Sequence, residues 1–131
     1  MTRHVIVLAA LTALALATAP ASAQAPPELG TWIGGYRDSG HRVAMRIVLT
    51  RLQIGKRAGT TRYRSSGFTC RGRLRLRART AAGFVLRDRL VSGPRKRCTD
   101  GDTVIVRVIN GKLRTKVRNG RSVLRVTLIR G

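Results

Sequence analysis

Between Cys70 and Arg79 every second residue is an arginine. Arg71, Arg73, Arg75, Arg77 and Arg79 alternate with Cys70, Gly72, Leu74, Leu76 and Ala78. A helix would scatter those arginines around its circumference, whereas an extended strand sends them all to one face. So strict an alternation commits the segment to a strand with a basic side and a small or apolar side. Lys112 to Arg118 repeats the pattern, with Leu113, Thr115 and Val117 opposite Lys112, Arg114, Lys116 and Arg118.

The rest of the chain beyond residue 24 follows the same period, and helical spacing is nowhere sustained. Val43, Met45, Ile47 and Leu49 line one face of an earlier strand, and Phe84, Leu86 and Leu90 mark another. Thr103 to Ile109 and Ser122 to Arg130 are rich in β-branched residues. Turn residues punctuate these runs at Asp38-Ser39-Gly40, Gly55-Lys56, Ala82-Gly83, Ser92-Gly93-Pro94, Asp100-Gly101, Asn110-Gly111 and Asn119-Gly120. The two Asn-Gly pairs are strong hairpin signals, because both residues tolerate positive φ. The expectation is an all-β domain of about eight antiparallel strands in a meander. One apolar face per strand must be covered, by rolling the sheet into an up-and-down β-barrel or by folding it into a β-sandwich.

The N-terminus predicts export. Met1 to His4 is a short basic start, Val5 to Ala17 is apolar apart from Thr12, and Ala21-Ser22-Ala23 ends the run with small residues. That apolar centre is too short to span ~30 Å of hydrocarbon, and the pattern predicts a signal peptide over 1–23, cleaved after Ala23. Gln24 to Leu29, with Pro26-Pro27, then reads as a short, extended and mobile leader. Residues 30–131 form a single domain, with no second apolar segment able to hold it in a membrane. Loss of Arg3 with the signal takes the formal charge from +22 to +21. The two cysteines, Cys70 and Cys98, make an even count in an exported chain and predict one disulfide.

The opening Gly30-Thr31-Trp32-x-Gly34-x-Tyr36 resembles the way lipocalins and avidins open, which implies a Trp near the closed end of an eight-stranded barrel. From Tyr63 onward the spacing is similar to a group of small exported actinobacterial β-domains, some of which trail membrane serine/threonine kinases as extracellular segments. Cys70-x-Gly72-x-Leu74, the Phe84-to-Gly93 strand with an acid in it, Cys98 and Gly101 carry that resemblance. It covers roughly Leu29 to Arg130 and implies a fold and an outer-surface location but no activity. Asp88 stands where that group usually has Glu, and no kinase sequence accompanies the domain here.

Enzymatic constellations are close to absent, and the expectation is a non-enzymatic protein with no cofactor and no metal. His41 is the only histidine after the signal and sits beside Asp38 and Ser39 in a turn, where neighbours cannot adopt the geometry of a nucleophilic triad. Asp100-Gly101-Asp102 lacks the ligand series of a calcium loop and reads as a plain turn. Asp88 is the polar oddity: alternation puts it inward with Phe84, Leu86 and Leu90. A buried carboxylate needs a partner, and Arg62 or Arg125 is the natural choice for an ion pair fixing the barrel. The rival reading of Asp88 is a ligand contact at the floor of a cavity.

The arginines recur about 6.7 Å apart along their strand. Repulsion at that spacing is about 0.6 kcal/mol in water and roughly half that at physiological salt. Five in a row therefore cost on the order of 1 kcal/mol, which an ordinary domain tolerates. An anionic partner would relieve the repulsion and release counterions. The first functional expectation is thus a secreted binding module whose polyanion-binding face (Arg71, Arg73, Arg75, Arg77, Arg79, Lys112, Arg114, Lys116 and Arg118) contacts an anionic cell-envelope polymer or lipid headgroups. Five scattered aromatics make no stacking platform, so sequence-specific nucleic-acid reading is not expected. The alternatives are a lipocalin-like carrier with a small ligand inside the barrel, and an accessory domain with a protein partner. Leu74, Leu76, Val104, Val106 and Leu124 have the bulk to fill a small barrel, which sets the carrier second.

Overall fold

Two-residue turns make five of the seven connections and the loops 50–56 and 93–101 make the others, so neighbours in sequence become neighbours in the sheet. Asn110-Gly111 illustrates the local cause: both residues take positive φ, at 52° and 73°, the backbone a two-residue hairpin needs. The computed structural model describes residues 12–15 and 24–131. The predicted signal segment lies outside the described residues except for 12–15, which form no regular element. The strands are β1 (Gly30–Asp38), β2 (His41–Leu49), β3 (Arg57–Ser65), β4 (Phe68–Thr80), β5 (Gly83–Ser92), β6 (Asp102–Ile109), β7 (Lys112–Asn119) and β8 (Ser122–Arg130). Each pairs antiparallel with the next, and β8 returns to β1 through Trp32↔Arg130 and Ile33↔Ile129, closing an up-and-down barrel. The sandwich alternative is excluded. Among the described residues no helix is long and apolar enough to cross a membrane.

Alternation does what the sequence predicts along most strands. Val43, Met45, Ile47 and Leu49 of β2, Leu74 and Leu76 of β4, and Val104 and Val106 of β6 all point inward and are buried. Each such side chain stabilises the fold by about 1.5–3 kcal/mol. This apolar core fills one end of the barrel, and Trp32 plugs it from β1 with no exposed surface. The leader is not extended throughout. It turns at Pro27-Glu28 and folds under the plug. The Trp32 indole N–H donates to the Glu28 carbonyl at 2.8 Å, and the Arg130 guanidinium donates to the carbonyls of Leu29 and Pro27 while lying 4.0 Å over the Trp32 ring. These bonds satisfy a carbonyl-rich stretch that would otherwise stay in water.

Two local departures from the sequence expectation have clear causes. Asn119-Gly120 is not the turn pair: Asn119 ends β7 opposite Ser122, and Gly120-Arg121 makes the turn. The Asn119 amide is instead spent on Asp102 of the neighbouring strand. In β4, a bulge between Leu76 and Ala78 resets the alternation. Arg79 therefore lies opposite inward-facing Phe84, with its guanidinium 5.1 Å from that ring, and leaves the outer face. The unbroken β4 stripe is Arg71, Arg73, Arg75 and Arg77.

Candidate functional site

The end of the barrel opposite Trp32 is open. The turns 39–40, 66–67 and 120–121 and the loop 93–101 surround its mouth, and the space beneath is a cavity of about 370 Å³. Val43, Leu90, Val117 and Leu124 supply apolar wall, and Tyr36, Tyr63, Thr61, Asp88, Asp102 and Asn119 supply polar groups. Leu124, expected to help fill the interior, is only half-buried here. The core residues Leu74, Leu76, Val104 and Val106 stop short of this level, so the barrel is filled at one end and hollow at the other.

Cys70 and Cys98 are bonded, as the sequence predicts. Cys70 faces inward from β4 and Cys98 belongs to the long loop after β5, so the bond pins that loop to the cavity wall. The chain-entropy account assigns a bridge across 28 residues roughly 3–4 kcal/mol. The loop is held further by the Cys98 and Arg97 N–H groups, which donate to the Pro94 carbonyl at 2.9 Å. At its far end the Asp100 carboxylate accepts the Leu90 N–H at 2.9 Å, which holds that carboxyl below its usual range.

The cavity floor is an acidic layer built by register. Asp88 of β5 pairs directly with Asp102 of β6, and both point inward. Asp102 is fully engaged: the Asn119 amide donates to one oxygen and the Thr99 hydroxyl to the other at 2.8 Å. Asp88 is not. Thr61 donates to its Oδ2 at 2.8 Å, while Oδ1 is buried without a partner. Burial pushes the Asp88 carboxyl up to about 7, against the Thr61 bond, with the nearby Asp102 and Asp100 adding to the rise. The Tyr63 hydroxyl is likewise buried without a partner, and burial raises its pKa well above the ordinary phenol range. Burial also raises Tyr36, with Asp38 and Asp102 contributing.

The ion pair expected for Asp88 does not form. Arg62 faces outward between Arg46 and Arg71, and Arg125 is exposed opposite Lys116. Alternation fixes both: Thr61 and Leu124, their neighbours, take the inward positions. Room for the Asp88 carboxylate comes from Gly72, across on β4. A Cβ there would collide with Asp88 Oδ1 and lie 2.5 Å from Thr61 Oγ1. Sequence reasoning singled out Asp88, read Asp102 as part of a plain turn although it opens β6 and points inward, and passed over Thr61, Tyr36, Tyr63 and Asn119. The signal was present for two of them. Tyr36 continues the Trp32-Gly34 period, and Asp102 continues that of Val104 and Val106.

On the outer surface the register converts the predicted stripe into a field. Arg46, Arg62 and Arg71 stand side by side across β2, β3 and β4, Arg57, Arg75 and Arg87 across β3, β4 and β5, and Arg73 faces Arg89. Lys112, Arg114, Lys116 and Arg118 point outward from β7, with Arg107 beside Arg114 and Arg125 beside Lys116. Beyond β2, exposed Ile33 and Ile129 sit together at the β1–β8 seam, next to Arg42, Arg46, Arg62 and Arg64 along a shallow groove. His41 is exposed at the start of β2, and among the described residues no group of three or more metal-ligating side chains comes together.

Comparison with protein-family models, with curated proteins and with solved structures finds no match to this chain.

Proposed function

We propose that this domain is an exported, non-enzymatic binding protein that holds a small ligand in the open end of its barrel. The single observation that carries the reading is the pair of buried polar atoms without partners, Asp88 Oδ1 and the Tyr63 hydroxyl, beside a cavity of about 370 Å³. A buried polar group left unpaired costs about 1–3 kcal/mol, and a purely structural barrel end would fill that space with side chains or pair those atoms. Mostly apolar walls with a few placed polar groups are the common form of a small-molecule site.

A cavity-filling variant tests the reading. Leu124→Trp would occupy the hollow end without touching the apolar plug. Compounds from a small-molecule library that raise the melting temperature of the native protein should lose that effect in the variant. Hits that persist unchanged in Leu124→Trp, or no hit at all on the native protein, would remove the carrier reading.

The basic exterior supports a second reading, contact with an anionic envelope polymer or lipid surface. It rests on the arginines opposed across β2 to β5, where like charges stand on cross-strand neighbours whose Cβ atoms are about 5 Å apart. The triple variant Arg62→Gln, Arg73→Gln and Arg89→Gln should keep the fold and bind teichoic acid or anionic vesicles more weakly, with a shallower salt dependence. Equal affinity for every polyanion, heparin included, would reduce this reading to basicity alone.

A further inference from the structure

We infer that the ligand held in the open end is a small organic amine, its nitrogen donating to Asp88 Oδ1 and the Tyr63 hydroxyl and its apolar part lying against Val43, Val117 and Leu124. The inference rests on the carrier reading above and names the chemistry of that site.

The charge distribution points this way. The chain has five acids against 27 basic residues, yet both buried aspartates, Asp88 and Asp102, face this cavity. Asp102 is spent on Asn119 and Thr99, so the free acceptor at the floor is Asp88 Oδ1. A carboxylate accepts and does not donate, and the phenol oxygen beside the same cavity also accepts. An ammonium group offers up to three donors and a positive charge, the complement of both.

The other charged groups around the cavity do not reverse this preference. Arg37, Arg71 and Arg97 stand at the mouth with Asp38, and all four are exposed. Their fields are screened by water and salt, whereas that of Asp88, 5% exposed, is screened much less. Asp100, outside the cavity lining, adds negative potential at Asp88, and the Tyr36 phenol also lines the cavity. No arginine or lysine among the cavity-lining residues is buried. Because Asp88 titrates near 7, binding an ammonium would draw it into the ionised form and release a proton.

Three probes of equal shape decide the matter: benzylamine, benzyl alcohol and benzoate, titrated at millimolar concentration with NMR detection of Thr61, Tyr63 and Val117. Benzylamine should bind at least tenfold more tightly than the other two, more tightly at pH 8 than at pH 5, and with proton release near pH 7 by calorimetry. Asp88→Asn should weaken it tenfold or more, and Tyr63→Phe, which keeps the ring, should weaken it to a smaller extent. If benzyl alcohol or benzoate shifts the same signals equally well, or no proton is released, the amine is refuted while the carrier reading stands. If none of the three moves those signals, both fall together.

Discussion

Gly72 is the position where one added methyl group should disturb the cavity floor most directly, because what it meets there are the Asp88 and Thr61 side chains. A Cβ there collides with Asp88 Oδ1 and sits 2.5 Å from Thr61 Oγ1. The carboxylate must swing away, and the Thr61 bond to Oδ2 breaks with it. Overpacking of this kind costs about 1–3 kcal/mol, and a hydrogen bond to a charged group contributes about 1.5–3 kcal/mol. Reduced backbone freedom of the unfolded chain returns less than about 1 kcal/mol. Gly72→Ala should therefore destabilise the protein by about 3–4 kcal/mol in urea denaturation. The same substitution beside Asp88→Ala meets only the Thr61 hydroxyl, and its cost should fall to about 1–2 kcal/mol, leaving a coupling near 2 kcal/mol in the double-mutant cycle. A cost under about 1 kcal/mol, or an equal cost in both backgrounds, would refute the account of Gly72 as the space that admits Asp88.

Three further outcomes follow from the same geometry. The Asp88 carboxyl is raised from 3.8 to about 7, so the folded state holds its proton more tightly than the unfolded chain does; its contribution is fully present below about pH 4 and is lost as the pH rises through 7, on the order of 4 kcal/mol in all, and Asp88→Asn should flatten that slope in denaturation measured across pH. Reduction of Cys70–Cys98 should cost roughly 3–4 kcal/mol and lower the melting temperature by more than about 10 °C, whereas an identical melting curve with reductant would count against the bond's role. Arg130→Ala removes the guanidinium over Trp32 and two of the bonds that hold the leader, so stability should fall by about 2 kcal/mol and Trp32 emission should shift to the red; unchanged emission would mean that Arg130 does not hold the leader this way.

The alternation from Cys70 to Ala78, the β-branched runs and the turn at Asn110-Gly111 were sufficient to determine the strands, their inward faces and the antiparallel order, because period and turn chemistry are local properties of the chain. The pairing of Cys70 with Cys98 needed only a count of cysteines and the predicted compartment. The inward direction of Asp88 was equally local. Its partner was not, since which side chain meets Asp88 depends on the stagger between β3, β4 and β5. That stagger placed Thr61 at the carboxylate and Gly72 beneath it, and turned Arg62 outward. Bulges had the same hidden effect, taking Arg79 off the basic face through a shift that no periodicity announces. Whether the interior is solid was likewise a tertiary matter. Leu74, Leu76, Val104 and Val106 are bulky enough to fill their own level of the barrel, but the strands continue past them to Tyr63, Asp88 and Val117. Only closure of the sheet decides that these surround a space and leave two polar atoms unpaired within it.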